Sequence, residues 1–351
     1  MADKKINPEI LQNFQKQLSE NKIGGYIVTD NKDQLYLTGF PFFPAEAALL
    51  ITPSQIYCFT RDLYVLQLRG YAPFMRTCAP LNFAATAAET AVKLKLKNVC
   101  FDAGKTAYLD GKIFDAAGFK PSVFTPGKMR EVKTETEIKL MRVSCQKAYQ
   151  TYEHIKKFIK TGMTEKQVAS EILRCAETLG APAETYVIVA FGVNSNNTHH
   201  VPTDDKLAAE SAVLIDYCLM YKNYFSDITR SWWHGKKAPA EYNKIWRVTK
   251  AAHDAGVKAA KPGITGKDLD LTARKIIAGA GYGKFFIHRL GHGIGMEVHE
   301  HPCAEAANTA KFAANNVISV EPGIYLPGKF GVRYENTVVI GKNGGVILTK
   351  P

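Results

Sequence analysis

Residues 9–22 place apolar side chains at helical intervals, and short apolar runs then alternate with turn residues: "GGYIVTD" (24–30), "LYLTGF" (35–40), "EAALLITPSQIYCFT" (46–60) and "KNVCFDA" (97–103). Runs of this length, rich in β-branched and aromatic residues and bounded by Gly, Pro, Asn or Asp, predict strands. The first part of the chain therefore reads as an α/β domain with a mostly β core. At "FTPGKMREVKTETEIKLMR" (124–142) the pattern changes. A Pro-Gly turn and a charged stretch lead into Thr134-x-x-Glu137, a capping box. Ile138, Met141, Cys145, Ala148, Tyr152 and Ile155 follow at steps of three and four, which puts one apolar stripe on a helix. From there long helices alternate with strands. The boundary implies domains 1–127 and 128–351.

The second domain carries an internal echo. "TGMTEKQVASEILRCAETLG" (161–180) and "PGITGKDLDLTARKIIAGAG" (262–281) align without a gap, Thr164 matching Thr265. In each copy a Gly-x-Thr turn caps a helix through the threonine, and a glycine closes it in the left-handed conformation. Two similar αβ halves follow from the echo, and a site between them would draw residues from both.

The strongest strand signal is "SAVLIDYCLMYKNYFSDITRSWW" (211–233). With Lys222-Asn223 at the tip of a hairpin, Tyr221 faces Tyr224, Cys218 faces Asp227 and Asp216 faces Thr229. Asp216 and Asp227 are then diagonal neighbours on one side of the sheet, about 7–8 Å apart. Two carboxylates that close, flanked by Ile, Val and Phe, repel unless a cation lies between them. Near the C-terminus, "VISVEPGIYLPGKFGVRYENTVVIG" (317–341) adds Glu321 at the end of one apolar strand and Glu335 interrupting another, with Pro-Gly turns between them. Burying these glutamates also requires neutralisation.

Composition narrows the reading. A chain of 351 residues suits two domains. The net charge of +12 is spread along the chain and forms no basic arm, so a nucleic-acid role is not expected. No run of eighteen apolar residues appears, and "MADKKINPEI" has no apolar core after its lysines, so neither a membrane span nor a secretory signal is indicated and a cytoplasmic protein is expected. The seven cysteines are scattered and never spaced C-x-x-C, which excludes a disulfide framework and a thiolate zinc site.

Four of the nine histidines crowd into "HRLGHGIGMEVHEHP" (288–302), whose spacing is neither that of a zinc finger nor H-E-x-x-H. Two aspartates, two glutamates and one of these histidines make a mostly oxygen-donor set whose four negative charges balance two divalent cations.

In these motifs the chain resembles the creatinase/methionine aminopeptidase family of pita-bread metallopeptidases, and within it the Xaa-Pro branch of aminopeptidase P and prolidase. The matching pattern is Asp216, Asp227 eleven later, the His292 of Gly-His-Gly-Ile-Gly, the Glu321 of Glu-Pro-Gly and the Glu335 of Arg-x-Glu. "GGYIVTD", "YLTGF" and "FTRDLYV" resemble the creatinase-type N-terminal domain. The resemblance implies an α/β fold with a creatinase-like N-terminal domain before a pita-bread catalytic domain. It implies two divalent ions bridged by Asp227 and Glu335, with His292 and Glu321 on one ion and Asp216 on the other; an oxygen-rich set with one imidazole suits manganese or cobalt better than a tetrahedral zinc centre. By the same resemblance Glu321 shuttles protons, His199 and His299 contact the peptide, and His288 and Arg333 line the pocket for a proline-containing substrate. His200 is the alternative to His199, and His301 has no assigned role. Cys218 and the Lys222-Asn223 turn depart from the family's glycines. A homodimer is expected by analogy.

The substrate reading is cleavage of the Xaa-Pro bond at the N-terminus of peptides, with Xaa-Pro dipeptidase as the alternative. A methionine aminopeptidase has no reason to carry the N-terminal domain, a creatinase-like hydrolase dispenses with metal, and a non-enzymatic binding module would have lost ligands.

Overall fold

A computed structural model describes residues 8–183 and 187–350; of the stretch "MADKKINPEI" read above for a targeting signal, residues 1–7 lie outside them. The chain divides into two compact units between Met129 and Arg130. Among the described residues no helix is long and apolar enough to cross a membrane.

In the first unit a six-stranded mixed sheet runs in the order Met75–Cys78, Ile56–Thr60, Ala47–Ile51, Gly25–Val28, Val99–Phe101, Lys120–Pro121. Ile27, Leu50 and Phe59 of the sheet pack with Ala87, Ala91 and Phe114 of the helices Phe83–Lys93 and Tyr108–Ala116. One expectation is corrected here. "LYLTGF" does not form a strand: residues Asn31–Thr38 are helical, capped by Asp30, whose side chain accepts from the Asp33 amide, and ended by Gly39 at φ 68°. The apolar run Leu35-Tyr36-Leu37 is short enough to suit either element, and the caps on both sides decide it.

The second unit is built from two similar halves. Thr134 and Glu137 form the capping box of Glu135–Phe158, and the six residues of its apolar stripe are all buried. This helix and Glu165–Thr178 back a three-stranded antiparallel sheet of Ile188–Phe191, Ser211–Tyr221 and Tyr224–His234. In the second half Ala240–Ala259 and Gly266–Gly279 accompany a five-stranded sheet ordered Glu300–Ala304, Gly291–Gly293, Val317–Val320, Asn336–Gly341, Gly344–Ile347.

The echo in the sequence is a repeat in space. Thr164 and Thr265 both cap their helices, and Gly180 and Gly281 both have positive φ. The Gly162 amide donates to the Leu207 carbonyl at 2.8 Å, and the Gly263 amide to that of Phe312 at 2.9 Å. The return bonds, Leu207 to Met163 and Phe312 to Ile264, are both 2.8 Å. Each half thus ties its capping turn to a following extended segment in the same way.

Candidate metal centre

The hairpin has the expected register: Tyr221 pairs with Tyr224, Cys218 with Asp227 and Asp216 with Thr229. Lys222 and Asn223 both adopt positive φ, 48° and 70°, which is the two-residue turn that matches strand twist, so the departure from glycine leaves the hairpin intact. Asp216 and Asp227 consequently share a face.

The second half supplies the other groups. His292 sits in the middle of the strand Gly291–Gly293, Glu321 follows the strand Val317–Val320, and Glu335 precedes Asn336–Gly341 instead of interrupting a strand. A hairpin of Gly323–Leu326 and Phe330–Arg333 fills the interval between the glutamates. The flanking glycines of His292 make room for neighbouring backbone. A Cβ on Gly291 would lie 2.0 Å from the Ser319 carbonyl oxygen, and one on Gly293 would lie 2.5 Å from that of Glu300. They let three strands close on His292.

Ligating atoms of Asp227, His292 and Glu335 lie within 4.8 Å of one another, and all three residues are buried. His292 Nε2 is 3.6 Å from Asp227 Oδ2 and 3.3 Å from Glu321 Oε1. Thr229, the cross-strand partner of Asp216, donates to Glu335 Oε2 at 2.5 Å, whereas Glu335 Oε1 is buried with no hydrogen-bond partner. Thr337 fixes Asp227 by bonding both its amide and its carbonyl at 3.0 Å. Asp216 accepts a hydrogen bond from Arg333 Nη2.

The electrostatics are those of crowded acids. Burial, followed by the charge of Asp216 and with Glu321 adding to it, pushes Asp227 up to about 8 against the opposing pull of His292. Burial and the charges of Asp227 and Glu321 also hold Glu335 well above the usual carboxylate range. Burial works in the same direction on Glu321, but its hydrogen bond and charge interaction with His292 outweigh it and bring the group to about 2. Asp227, His292 and Glu335, with an orphaned buried carboxylate oxygen among them, form a donor set suited to a divalent cation; Glu321 adjoins it through His292, and Asp216 lies outside that group of three.

The other site histidines surround this cluster. The His299 ring lies edge-on to that of His292, centroids 4.2 Å apart. Burial, then the charges of His292 and Arg289, lower His299 to about 4, and His199 is close enough to act in the same direction. His200 is engaged elsewhere, its Nε2 being 2.6 Å from Glu165 Oε2. Glu165 is fully buried and also accepts from the Phe191 and Thr203 amides, the Thr203 hydroxyl and Asn194 Nδ2, which together outweigh its burial and lower its pKa. His301 is exposed.

His200→Ala is expected to destabilise the protein by about 1.5–3 kcal/mol, because it removes a hydrogen bond to a buried carboxylate. His199→Ala is expected to leave stability unchanged. Urea unfolding of both variants checks the contrast, and equal midpoints would contradict it.

His288 Nε2 lies 2.9 Å from the Tyr325 hydroxyl, which accepts from Arg333 Nη1 at 2.8 Å. Arg333 further donates through Nε to Thr229 at 3.0 Å and through Nη1 to the Thr198 carbonyl at 3.3 Å. Tyr325 and Thr229 were missed from sequence. Thr229 was open to inference, since the register sets it opposite Asp216; Tyr325 carries no local signal.

The sequence pattern of metallopeptidase family M24 matches residues 139–342, and that of the Creatinase/Prolidase N-terminal domain matches residues 10–116. The chain belongs to metallopeptidase family M24. This M24 chain is 32% identical over 351 residues to "Uncharacterized peptidase YqhT" of Bacillus subtilis, covering 97% of each. Its fold matches the Xaa-Pro dipeptidase from Bacillus anthracis with a TM-score of 0.89 at 28% identity, over 98% of this chain and 97% of that one. It matches the X-Pro aminopeptidase from Thermotoga maritima MSB8 with a TM-score of 0.88 at 31% identity, over 97% of both. The protein is thus a metallopeptidase, and the family implies divalent metal ions.

Proposed function

We propose that the protein hydrolyses the peptide bond preceding a proline in the second position of a peptide, using two divalent ions, manganese or cobalt, held by Asp216, Asp227, His292, Glu321 and Glu335. The observation that carries this reading is the convergence of Asp227, His292 and Glu335 on one point, with Glu335 Oε1 unpartnered beside it. Divalent ions bound there supply the chemistry of the hydrolysis, activating water and polarising the scissile carbonyl.

The chain's own groups do the rest. Glu321, a ligand whose Oε1 also accepts from Ser319, is the group that takes the proton of the attacking water and passes it to the departing proline nitrogen. His299, kept neutral by its surroundings, hydrogen-bonds the peptide near the reacting carbonyl, and His199 approaches the same peptide beside it. The imide nitrogen before proline has no hydrogen to donate, so selectivity comes from shape. His288, Tyr325 and Arg333, locked to one another, form the rigid wall for the ring.

Arg333 also decides between substrates. Its donors are committed to Asp216, Tyr325, Thr229 and Thr198, which disfavours its capturing the free carboxylate of a dipeptide. This supports an aminopeptidase P type of activity over an Xaa-Pro dipeptidase. The dipeptidase reading is favoured instead by the name of the Bacillus anthracis relative and by the Arg289 cation acting on His299.

Hydrolysis of Ala-Pro, Ala-Pro-Ala and Ala-Ala-Ala separates the readings. Ala-Pro-Ala is expected to have the highest kcat/KM. A preference for Ala-Pro above roughly tenfold, ~1.4 kcal/mol, establishes the dipeptidase instead. Equal cleavage of Ala-Ala-Ala removes the proline reading and leaves a dimetal peptidase.

A further inference from the structure

The segment Arg130–Lys133, just before the capping box, runs along the second unit as an added edge. Val132 bridges Asn316, the Lys133 amide donates to the Asn315 carbonyl at 3.0 Å, and Asn316 Nδ2 donates to the Glu131 carbonyl at 2.7 Å. This anchoring directs two cations inward, where both are buried: Arg130 is 3% and Lys133 2% exposed.

Both cations meet the same loop. Lys133 Nζ donates to Glu300 Oε1 at 2.6 Å, Arg130 Nη2 donates to Glu297 Oε2, and Arg130 Nε lies 3.8 Å from Glu300 Oε2. Glu297 and Glu300 stand two residues before and one residue after His299. The ion pair also packs against Gly295, where a Cβ would lie 2.4 Å from Glu300 Oε1 and 3.0 Å from Lys133 Cε. Two buried cations against two carboxylates conserve charge. Such pairs add little net stability compared with apolar packing, because desolvation offsets most of the attraction. What they do fix is geometry: the loop is fastened on both sides of one residue.

We propose that Arg130 and Lys133 are positioning residues for His299, holding the loop Ile294–Glu300 so that its imidazole stays edge-on to His292. The inference rests on the reading of His299 as a group that contacts substrate.

The test uses full-length, manganese-loaded protein and compares Lys133→Met, the charge-neutral double variant Lys133→Met/Glu300→Gln, His299→Ala, and Lys133→Met combined with His299→Ala. The double variant leaves no unpaired charge at Glu300, so it stands in if the single variant does not fold. Hydrogen exchange of residues 294–300 is expected to rise by about tenfold or more in the Lys133 variants while the helix Glu135–Phe158 stays protected. For Ala-Pro-Ala, kcat is expected to fall roughly ten- to a hundredfold with KM nearly unchanged, the effect of a misplaced group. In the His299→Ala background the Lys133 change should add almost nothing.

Unchanged loop exchange overturns the proposal, and so does an undiminished loss of kcat in the His299→Ala background. If His299→Ala alone retains full kcat, the substrate role of His299 fails and the positioning role with it. A loop that nevertheless loosens then shows that the failure lies in the reading of His299 and not in the clamp.

Discussion

Asp227→Ala is expected to lower kcat by roughly a thousandfold or more, about 4 kcal/mol of transition-state stabilisation, while leaving the fold intact. Asp227 lies 3.6 Å from His292 Nε2 and groups with His292 and Glu335, their ligating atoms within 4.8 Å of one another. No other group takes its place, because alanine leaves the cluster with His292 and Glu335 one ligand short. The fold persists because the bonds to Thr337 use the Asp227 backbone, which alanine keeps. The metal-free variant should melt no lower than the metal-free parent, since the substitution removes a buried acid from beside Asp216 and Glu321. Activity lost with stability retained is therefore the expected signature, read from turnover of Ala-Pro-Ala and thermal unfolding of the same preparations. Parent-like turnover would remove Asp227 from the site.

Metal removal should make stability depend on pH in a stated direction. The folded-state pKa of Asp227, about 8, stands above its unfolded value near 3.9, so the folded protein binds more protons between them. A group displaced upward gives stability that is complete below the unfolded pKa and is lost as pH rises through the folded one. Glu335 is displaced the same way, as is His292. Glu321 is displaced downward, to about 2, and its stability is lost only as pH falls below the ordinary carboxylate range. Between about pH 7 and pH 8 the upward-shifted acids dominate, and the metal-free protein should lose stability. Divalent ions take the place of those protons and, at a thousandfold excess over Kd, should add about 4 kcal/mol per ion. The gap between metal-free and manganese-loaded melting temperatures should accordingly widen from pH 7 to pH 8. A gap that narrows would show that these acids do not hold the metal.

The hairpin was legible from sequence to the level of register, because strict apolar pairing and a two-residue tip leave one alignment that keeps both aspartates on a single face. The repeat was legible because capping turns are local and use few residue types. What stayed hidden depended on distance along the chain or on competition between local signals. "LYLTGF" was read as a strand because its apolar run satisfies both periods, while Asp30 and Gly39, which settle it, lie outside or at the edge of that run. The contact of His200 with Glu165, thirty-five residues upstream, has no signature in the doublet His199-His200. The ion pairs of Arg130 and Lys133 with Glu297 and Glu300 join residues 167 positions apart, beyond any periodic signal. The strands that crowd Gly291 and Gly293 come from the fold and leave no local mark in the sequence.

Metal content after loading with manganese and removal of free ions by gel filtration tests the central claim most directly. The account expects two ions per chain in the parent protein. A chain that retains none at saturation, or saturates at one, would contradict a dinuclear centre built from Asp216, Asp227, His292, Glu321 and Glu335.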